Sequence, residues 1–222
     1  MAQRSDILAA RTSVAAACRQ LAEQGLFIGT AGNLSMRVGD LVAVTATGLV
    51  LAQATPDDIS VVDASGTVVE GELAPTSEVD LHLGVLAHHP AGAVVHTHAP
   101  WGTALSLVLD ELPCVHYQQL VLGGAVPVVP FAVFGSPELA ASVDAALTGR
   151  QAVLLANHGT VTTGSDLSAA VQNAVLLEWV CALYARARGV GEPRPLTPAD
   201  QQAVVVAATA RGYGRTHKAA QA

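Results

Sequence analysis

Apolar and polar positions change their period several times along this chain, and each change marks an element. Between Ile7 and Gln24, residues Leu8, Val14, Ala15, Cys18, Leu21 and Ala22 recur near helical spacing, and Gly25 closes the run. The stretch Gly29-Thr30-Ala31-Gly32-Asn33 is too rich in glycine to continue as helix. Leu34-Ser35-Met36-Arg37-Val38 then alternates, Gly39-Asp40 supplies a two-residue turn, and Leu41 to Thr45 runs back, which predicts a β-hairpin. Thr47-Gly48 breaks that strand. Thr55-Pro56-Asp57-Asp58 predicts a short helix capped by Thr55, and Ser60 to Val69 a second hairpin turning at Asp63-Ala64-Ser65-Gly66.

Further along, Pro75-Thr76-Ser77-Glu78 predicts a helix running to about His89. Ala93 to Thr97 reads as a buried strand, Pro100 as a helix start, and Val126 to Val129 as a short strand. Ser136-Pro137-Glu138 caps a helix ending near Gly149, and Val153 to Ala156 reads as a central strand. A long helix is expected from Asp166 to Arg188, stopped by Gly189 and Pro193, and Thr197-Pro198 opens a last one to Arg211. Residues 211–222 read as a tail. Strands and helices interleave without an internal repeat or linker. The expectation is one α/β domain over residues 1–222, a three-layer α/β/α sandwich around a mixed, largely antiparallel sheet.

Composition narrows the function. The 222 residues are 51% apolar but only 4% aromatic, which suits tightly packed helix-on-sheet layers. A formal charge of −7 argues against nucleic-acid or anionic-membrane partners, which demand clustered Lys and Arg. It does not forbid an anionic substrate, because a helix start can hold phosphate through backbone N–H groups. Cys18, Cys114 and Cys181 are odd in number and widely spaced, as in a reduced protein. With no signal-peptide pattern behind Met1 and no uninterrupted apolar run of about 18 residues, the expectation is a cytoplasmic protein that spans no membrane.

Three features carry chemistry. His96-Thr97-His98 closes an apolar strand, and side chains two apart share a face, so both imidazoles can converge on one metal ion. Alone this is a weak signal, since two half-buried histidines can find backbone partners. Asn157-His158-Gly159 follows the strand ending at Ala156; an ordinary turn histidine is the simpler reading by itself. As a third ligand, His158 would leave an open coordination position, the mark of a catalytic site. Pro75-Thr76-Ser77-Glu78 can be a plain helix cap, or hydroxyls cradling a phosphate beside an acid/base carboxylate. Gly32-Asn33 and Thr47-Gly48 let backbone approach an anion closely. No Gly-Lys-Ser/Thr follows a glycine-rich stretch, which excludes a nucleotide-binding P-loop. His82 reads as packed or solvated, His88-His89 as a helix end, and Trp101 and Trp179 as packing residues.

Taken together, Gly29 to Ser35, Thr47-Gly48, Pro75 to Glu78, His96-Thr97-His98 and Asn157-His158-Gly159 resemble the class II aldolase/adducin superfamily in order and spacing, over nearly the whole chain. The resemblance is strongest to the branch that cleaves L-fuculose 1-phosphate. It implies an α/β/α domain and a homotetramer with sites between subunits. It further implies Zn²⁺, replaceable by Co²⁺ or Mn²⁺, on His96, His98 and His158. Glu78 would be the catalytic glutamate, and Gly32, Asn33, Thr47, Gly48, Thr76 and Ser77 the phosphate site. Tyr117 would be a catalytic tyrosine lent by a neighbouring subunit, and Tyr213 a further site tyrosine. The implied substrate is a sugar phosphate. A ketose 1-phosphate would be cleaved reversibly, through a metal-stabilised enediolate, to dihydroxyacetone phosphate and a small aldehyde. Lys218 is the only lysine, so a Schiff-base aldolase mechanism has no nucleophile outside that residue.

The superfamily's 4-epimerases carry aspartate where Glu78 stands and a second acidic residue in the loop held here by Val115-His116-Tyr117-Gln118-Gln119. This chain has no Asp between Asp110 and Asp144. A 5-deoxypentulose-phosphate aldolase, a dehydratase or a decarboxylase remains open. So does a non-catalytic adducin-like binding module, which would be expected to lose the metal ligands.

Overall fold

The computed structural model describes residues 3–213. Along the chain its strands are β1 (Asn33–Val38), β2 (Leu41–Thr45), β3 (Ile59–Val62), β4 (Val68–Glu70), β5 (Ala93–Thr97), β6 (Glu111–Leu112), β7 (Val126–Val129), β8 (Ala152–Leu155) and β9 (Gly159–Gly164). The helices are α1 (Arg4–Glu23), α2 (Val79–His88), α3 (Pro100–Ser106), α4 (Pro137–Ala146), α5 (Leu167–Val190) and α6 (Pro198–Arg211). The strands join one sheet in the order β4-β3-β2-β1-β5-β9-β8-β7-β6, and only β7 and β8 pair in parallel.

Helices cover both faces, as the sequence pattern predicts. On one face, Val14, Cys18 and Leu21 of α1 and Ala170 and Ala174 of α5 pack on Leu34, Ala43, Val61 and Val95. On the other, Leu81 and Val85 of α2 and Leu139 and Val143 of α4 pack on Val44, Val62, Val94 and Val161. Neighbours such as Val94 and Val95 therefore serve opposite cores, which is the two-residue period of a strand buried on both sides. A third cluster joins Leu105 of α3 and Leu177 and Cys181 of α5 to Leu112, Val126 and Leu154. By length and hydropathy α5 could cross a membrane, but half of its most apolar window is buried inside this fold. It is a core helix.

The structure corrects several expectations. Thr55-Pro56-Asp57-Asp58 makes a single 3-10 turn, because the chain enters β3 at Ile59. α2 begins only at Val79, with Glu78 at its N-cap position. The preceding residues are extended instead: Thr76 N–H donates to Thr45 O at 2.9 Å and Thr47 N–H to Ala74 O at 3.0 Å. β9 was not foreseen. Its Thr160, Thr162 and Thr163 are buried, with their hydroxyls bonded to Thr97 Oγ1, Ala170 O and Gln151 Oε1. Trp101 and Trp179 are 38% and 44% exposed, less packed than expected. Lys218 and the rest of the tail, residues 214–222, lie outside the described residues.

Candidate active site and metal centre

β9 is the element that brings the distant histidines together. It lies between β8 and β5, so the tight β8–β9 turn ends beside the end of β5. Asn157 takes the left-handed conformation there (φ 58), which asparagine tolerates better than most residues, and His158 N–H donates to Leu155 O at 3.1 Å. Gly159 is needed because a Cβ at this position would stand 2.3 Å from Thr97 O. Such a contact is impossible without moving β5. The turn is thus seated directly against His98.

The result is a triangle of imidazoles. Ring centroids of His96, His98 and His158 are 4.8–4.9 Å apart in edge-on pairs, and one ring nitrogen from each lies within 4.8 Å of the others. His96 Nδ1 lies 2.9 Å from Thr160 O, which can only accept, so the ring carries its proton on Nδ1 and leaves Nε2 bare. That bare nitrogen faces His98 Nε2 at 3.1 Å and Glu78 Oε2 at 3.2 Å. A proton on His98 could serve the first contact. The second sets lone pair against carboxylate, a conflict that a proton or a metal cation between the groups relieves. Glu78 Oε1 is buried with no hydrogen-bond partner, 3.8 Å from His158 Nε2. Nitrogens of a tetrahedral Zn²⁺ site, with bonds of about 2.0–2.1 Å, stand roughly 3.3 Å apart, close to the 3.1 Å between His96 and His98 Nε2. The residues fit a divalent cation.

Electrostatics agree with that fit. Burial holds His96 down to about 4 against the upward pull of Glu78, and burial likewise lowers His98 and His158. All three rings are therefore neutral near pH 7, the form that binds a metal. Burial works against an ionised Glu78, but His96, the Asn33 hydrogen bond, His158 and His82 outweigh it and hold its carboxyl below the usual value.

Around the cluster opens a pocket of about 550 Å³. Gly32, Asn33, Thr47, Gly48, Thr76 and Ser77 line it together with Glu78, His98 and His158. The hydrogen bonds between β2 and the Pro75–Ser77 stretch set the two threonine-bearing segments side by side, at the positive end of α2. Gly32 has φ +107, and a Cβ there would fall 2.8 Å from His96 O. Among the described residues no Lys or Arg lines the pocket, so an anion there would be held by hydroxyls and the helix end.

Tyr117 and Tyr213 do not line this pocket. They meet each other, hydroxyl to hydroxyl at 3.0 Å, in a separate groove with Val121 and Val205. That hydrogen bond raises the Tyr117 pKa. The sequence reading missed Phe131, Val133 and Phe134, exposed side chains that wall one side of the histidine pocket. They lie in an irregular loop without periodicity; only their proximity to the Ser136 cap gave any signal.

A family model described as the Class II Aldolase and Adducin N-terminal domain matches residues 12–185. A 5-methylthioribulose-1-phosphate/5-deoxyribulose-1-phosphate aldolase of Rhodospirillum rubrum is 41% identical over 196 residues, 87% of this chain and 88% of the relative. A 5-deoxy-D-ribulose 1-phosphate aldolase of Bacillus thuringiensis is 33% identical over 208 residues, 92% and 97% of the two chains. Among solved structures, an L-fuculose 1-phosphate aldolase superposes with a TM-score of 0.87 at 32% identity, covering 94% of this chain and 98% of its own.

Proposed function

For a chain that belongs to the class II aldolase and adducin family and is a class II aldolase, a metal-dependent lyase, we propose a reversible cleavage of a ketose 1-phosphate to dihydroxyacetone phosphate and a small aldehyde. His96, His98 and His158 would hold Zn²⁺, with Co²⁺ or Mn²⁺ able to replace it. The enzyme would act in the cytoplasm as a homotetramer, Tyr117 reaching the pocket of a neighbouring subunit. The observation that carries this reading is one pocket in which neutral imidazoles, a carboxylate and a cationless anion cradle adjoin.

When bound, the cation supplies Lewis-acid stabilisation of the negative charge that cleavage sends toward the substrate's carbonyl oxygen. The remaining work belongs to side chains. A proton first passes through solvent from the Tyr117 phenol to the Glu78 carboxylate; Tyr117 then takes the proton from the hydroxyl on the fourth carbon as the bond between the third and fourth carbons breaks. The fourth carbon leaves as an aldehyde, and the electron pair stays on the third. Glu78 delivers a proton to that carbon, which completes dihydroxyacetone phosphate. Gly32, Asn33, Thr47, Gly48, Thr76 and Ser77 grip the phosphate, remote from the breaking bond, and so orient the chain that reacts.

A narrower substrate follows from the wall of Phe131, Val133 and Phe134. An aldehyde ending in an apolar group suits it, as in the 5-deoxy and 5-methylthio sugars named for the Rhodospirillum relative. The test is a coupled assay of dihydroxyacetone phosphate release from 5-methylthioribulose, 5-deoxyribulose and L-fuculose 1-phosphates, with and without chelator. Chelator-sensitive release is expected, with kcat/KM higher for the first two. Absence of release from every sugar would refute the aldolase substrate class, and preference for L-fuculose 1-phosphate would refute the narrower reading.

A further inference from the structure

Beside Glu78, a line of buried polar groups joins β1 to α2. Asn33 and Ser35 share a face of β1, two residues apart, while Glu78 and His82 are four apart at the start of α2. Ser35 Oγ lies 2.7 Å from His82 Nδ1, His82 Nε2 lies 2.5 Å from Asn33 Oδ1, and Asn33 Nδ2 donates to Glu78 Oε2 at 2.9 Å. His82 and Ser35 are fully buried and Asn33 nearly so.

Chemistry gives this line one direction. An ionised carboxylate only accepts, so Asn33 must turn its NH₂ toward Glu78. Its amide oxygen then faces His82 and can only accept, so His82 must carry its proton on Nε2. The bare Nδ1 receives the Ser35 hydroxyl proton. Donation therefore runs from Ser35 through His82 and Asn33 to Glu78, with no group left in conflict.

We propose that His82 is a positioning residue for Glu78: by donating from Nε2 to Asn33 Oδ1 it fixes which way the Asn33 amide faces, and through it the carboxylate. This rests on Glu78 being the proton-transfer group. Without the imidazole donor, the amide can turn over and set oxygen against carboxylate, and Glu78 loses the neighbour that aims it. Simple packing would require only the ring's volume, not a proton on a particular nitrogen.

Two measurements on the full-length protein decide between these roles. Long-range ¹⁵N–¹H spectra of the labelled wild type, with the His82 signals assigned by their loss in His82→Gln, should show the proton on Nε2 and a bare Nδ1. In kinetics, His82→Asn cannot reach Asn33, and kcat should fall about tenfold to a hundredfold, by more than KM rises, since Asn33 also borders the phosphate site. His82→Gln keeps an N–H near the Nε2 position and should stay within about threefold of wild type in kcat. A proton on Nδ1, equal losses in the two variants, a loss confined to KM, or full activity of folded His82→Asn would overturn the proposal. If His82→Asn does not fold, the spectrum still decides. Glu78→Gln, run alongside, separates the two failures. If it stays active, the proton-transfer reading is wrong; if it is dead while His82→Asn is fully active, only the positioning inference is.

Discussion

The histidine pocket and the tyrosine corner are finished to different degrees within one chain. In the pocket, His96 is fully buried, Glu78 nearly so, and each neighbouring polar group is aimed by another: Thr160 holds His96, and Asn33 holds Glu78. At the corner, Tyr117 and Tyr213 are 41% and 60% exposed and touch chiefly each other, His116 and open apolar surface. A single chain can thus prepare metal and anion binding, where geometry must be fixed to a fraction of an ångström. The tyrosines lie on a surface that a second subunit could use. Under the proposed mechanism this difference would be a division of labour: one subunit would bind and protonate, and its neighbour would handle the leaving hydroxyl.

Replacing Glu78 with Gln should break the pocket's half of the comparison. The side chain keeps its size, so metal content should hold, yet kcat should fall by about 10²–10⁴-fold, as expected for loss of a general acid or base. Retained activity at full metal loading would remove Glu78 from the chemistry. Complementation sharpens the other half. Glu78→Gln and Tyr117→Phe chains, each nearly inactive, would be unfolded together and refolded in equal amounts. Random mixing leaves roughly a quarter of inter-subunit sites with both wild-type groups, and activity should return to about that level. No recovery in proven mixed oligomers would mean that each tyrosine serves its own chain. The smallest effect is read in stability. Gly32→Ala sets a Cβ against His96 O in a left-handed backbone, and should cost about 1–3 kcal/mol in denaturant unfolding. An unchanged midpoint would show that the β1–β5 edge yields more easily than its packing implies.

The two regions also differ in how far they can be read from sequence. The β1–β2 hairpin follows from alternation and the Gly39-Asp40 turn, because both signals are local. His96 and His98 follow from their spacing on β5. That His158 joins them does not, since this depends on β9, whose Gly-Thr-Val-Thr-Thr-Gly run lacks the apolar signature of a buried strand. Its hydroxyls are satisfied by partners far along the chain, such as Thr97, 63 residues away. His82 reads as packed or solvated and the structure buries it, yet its partners Ser35 and Asn33 are 47 and 49 residues distant, so the polar line beside Glu78 has no sequence signal. The start of α2 is misplaced by a few residues for a related reason. Hydroxyls at Thr76 and Ser77 suit a cap, but pairing with β2 keeps that stretch extended. The family resemblance supplied what local pattern could not, including the role expected of Tyr117.

Metal analysis of purified wild type and His158→Ala, after dialysis against metal-free buffer, bears most directly on the account. If imidazoles from β5 and the β8–β9 turn jointly hold one cation, the wild type should carry about one equivalent per chain and the variant almost none, while both remain folded by circular dichroism. Equal metal in the two proteins, or none in a wild type that still cleaves its sugar phosphate, would contradict it.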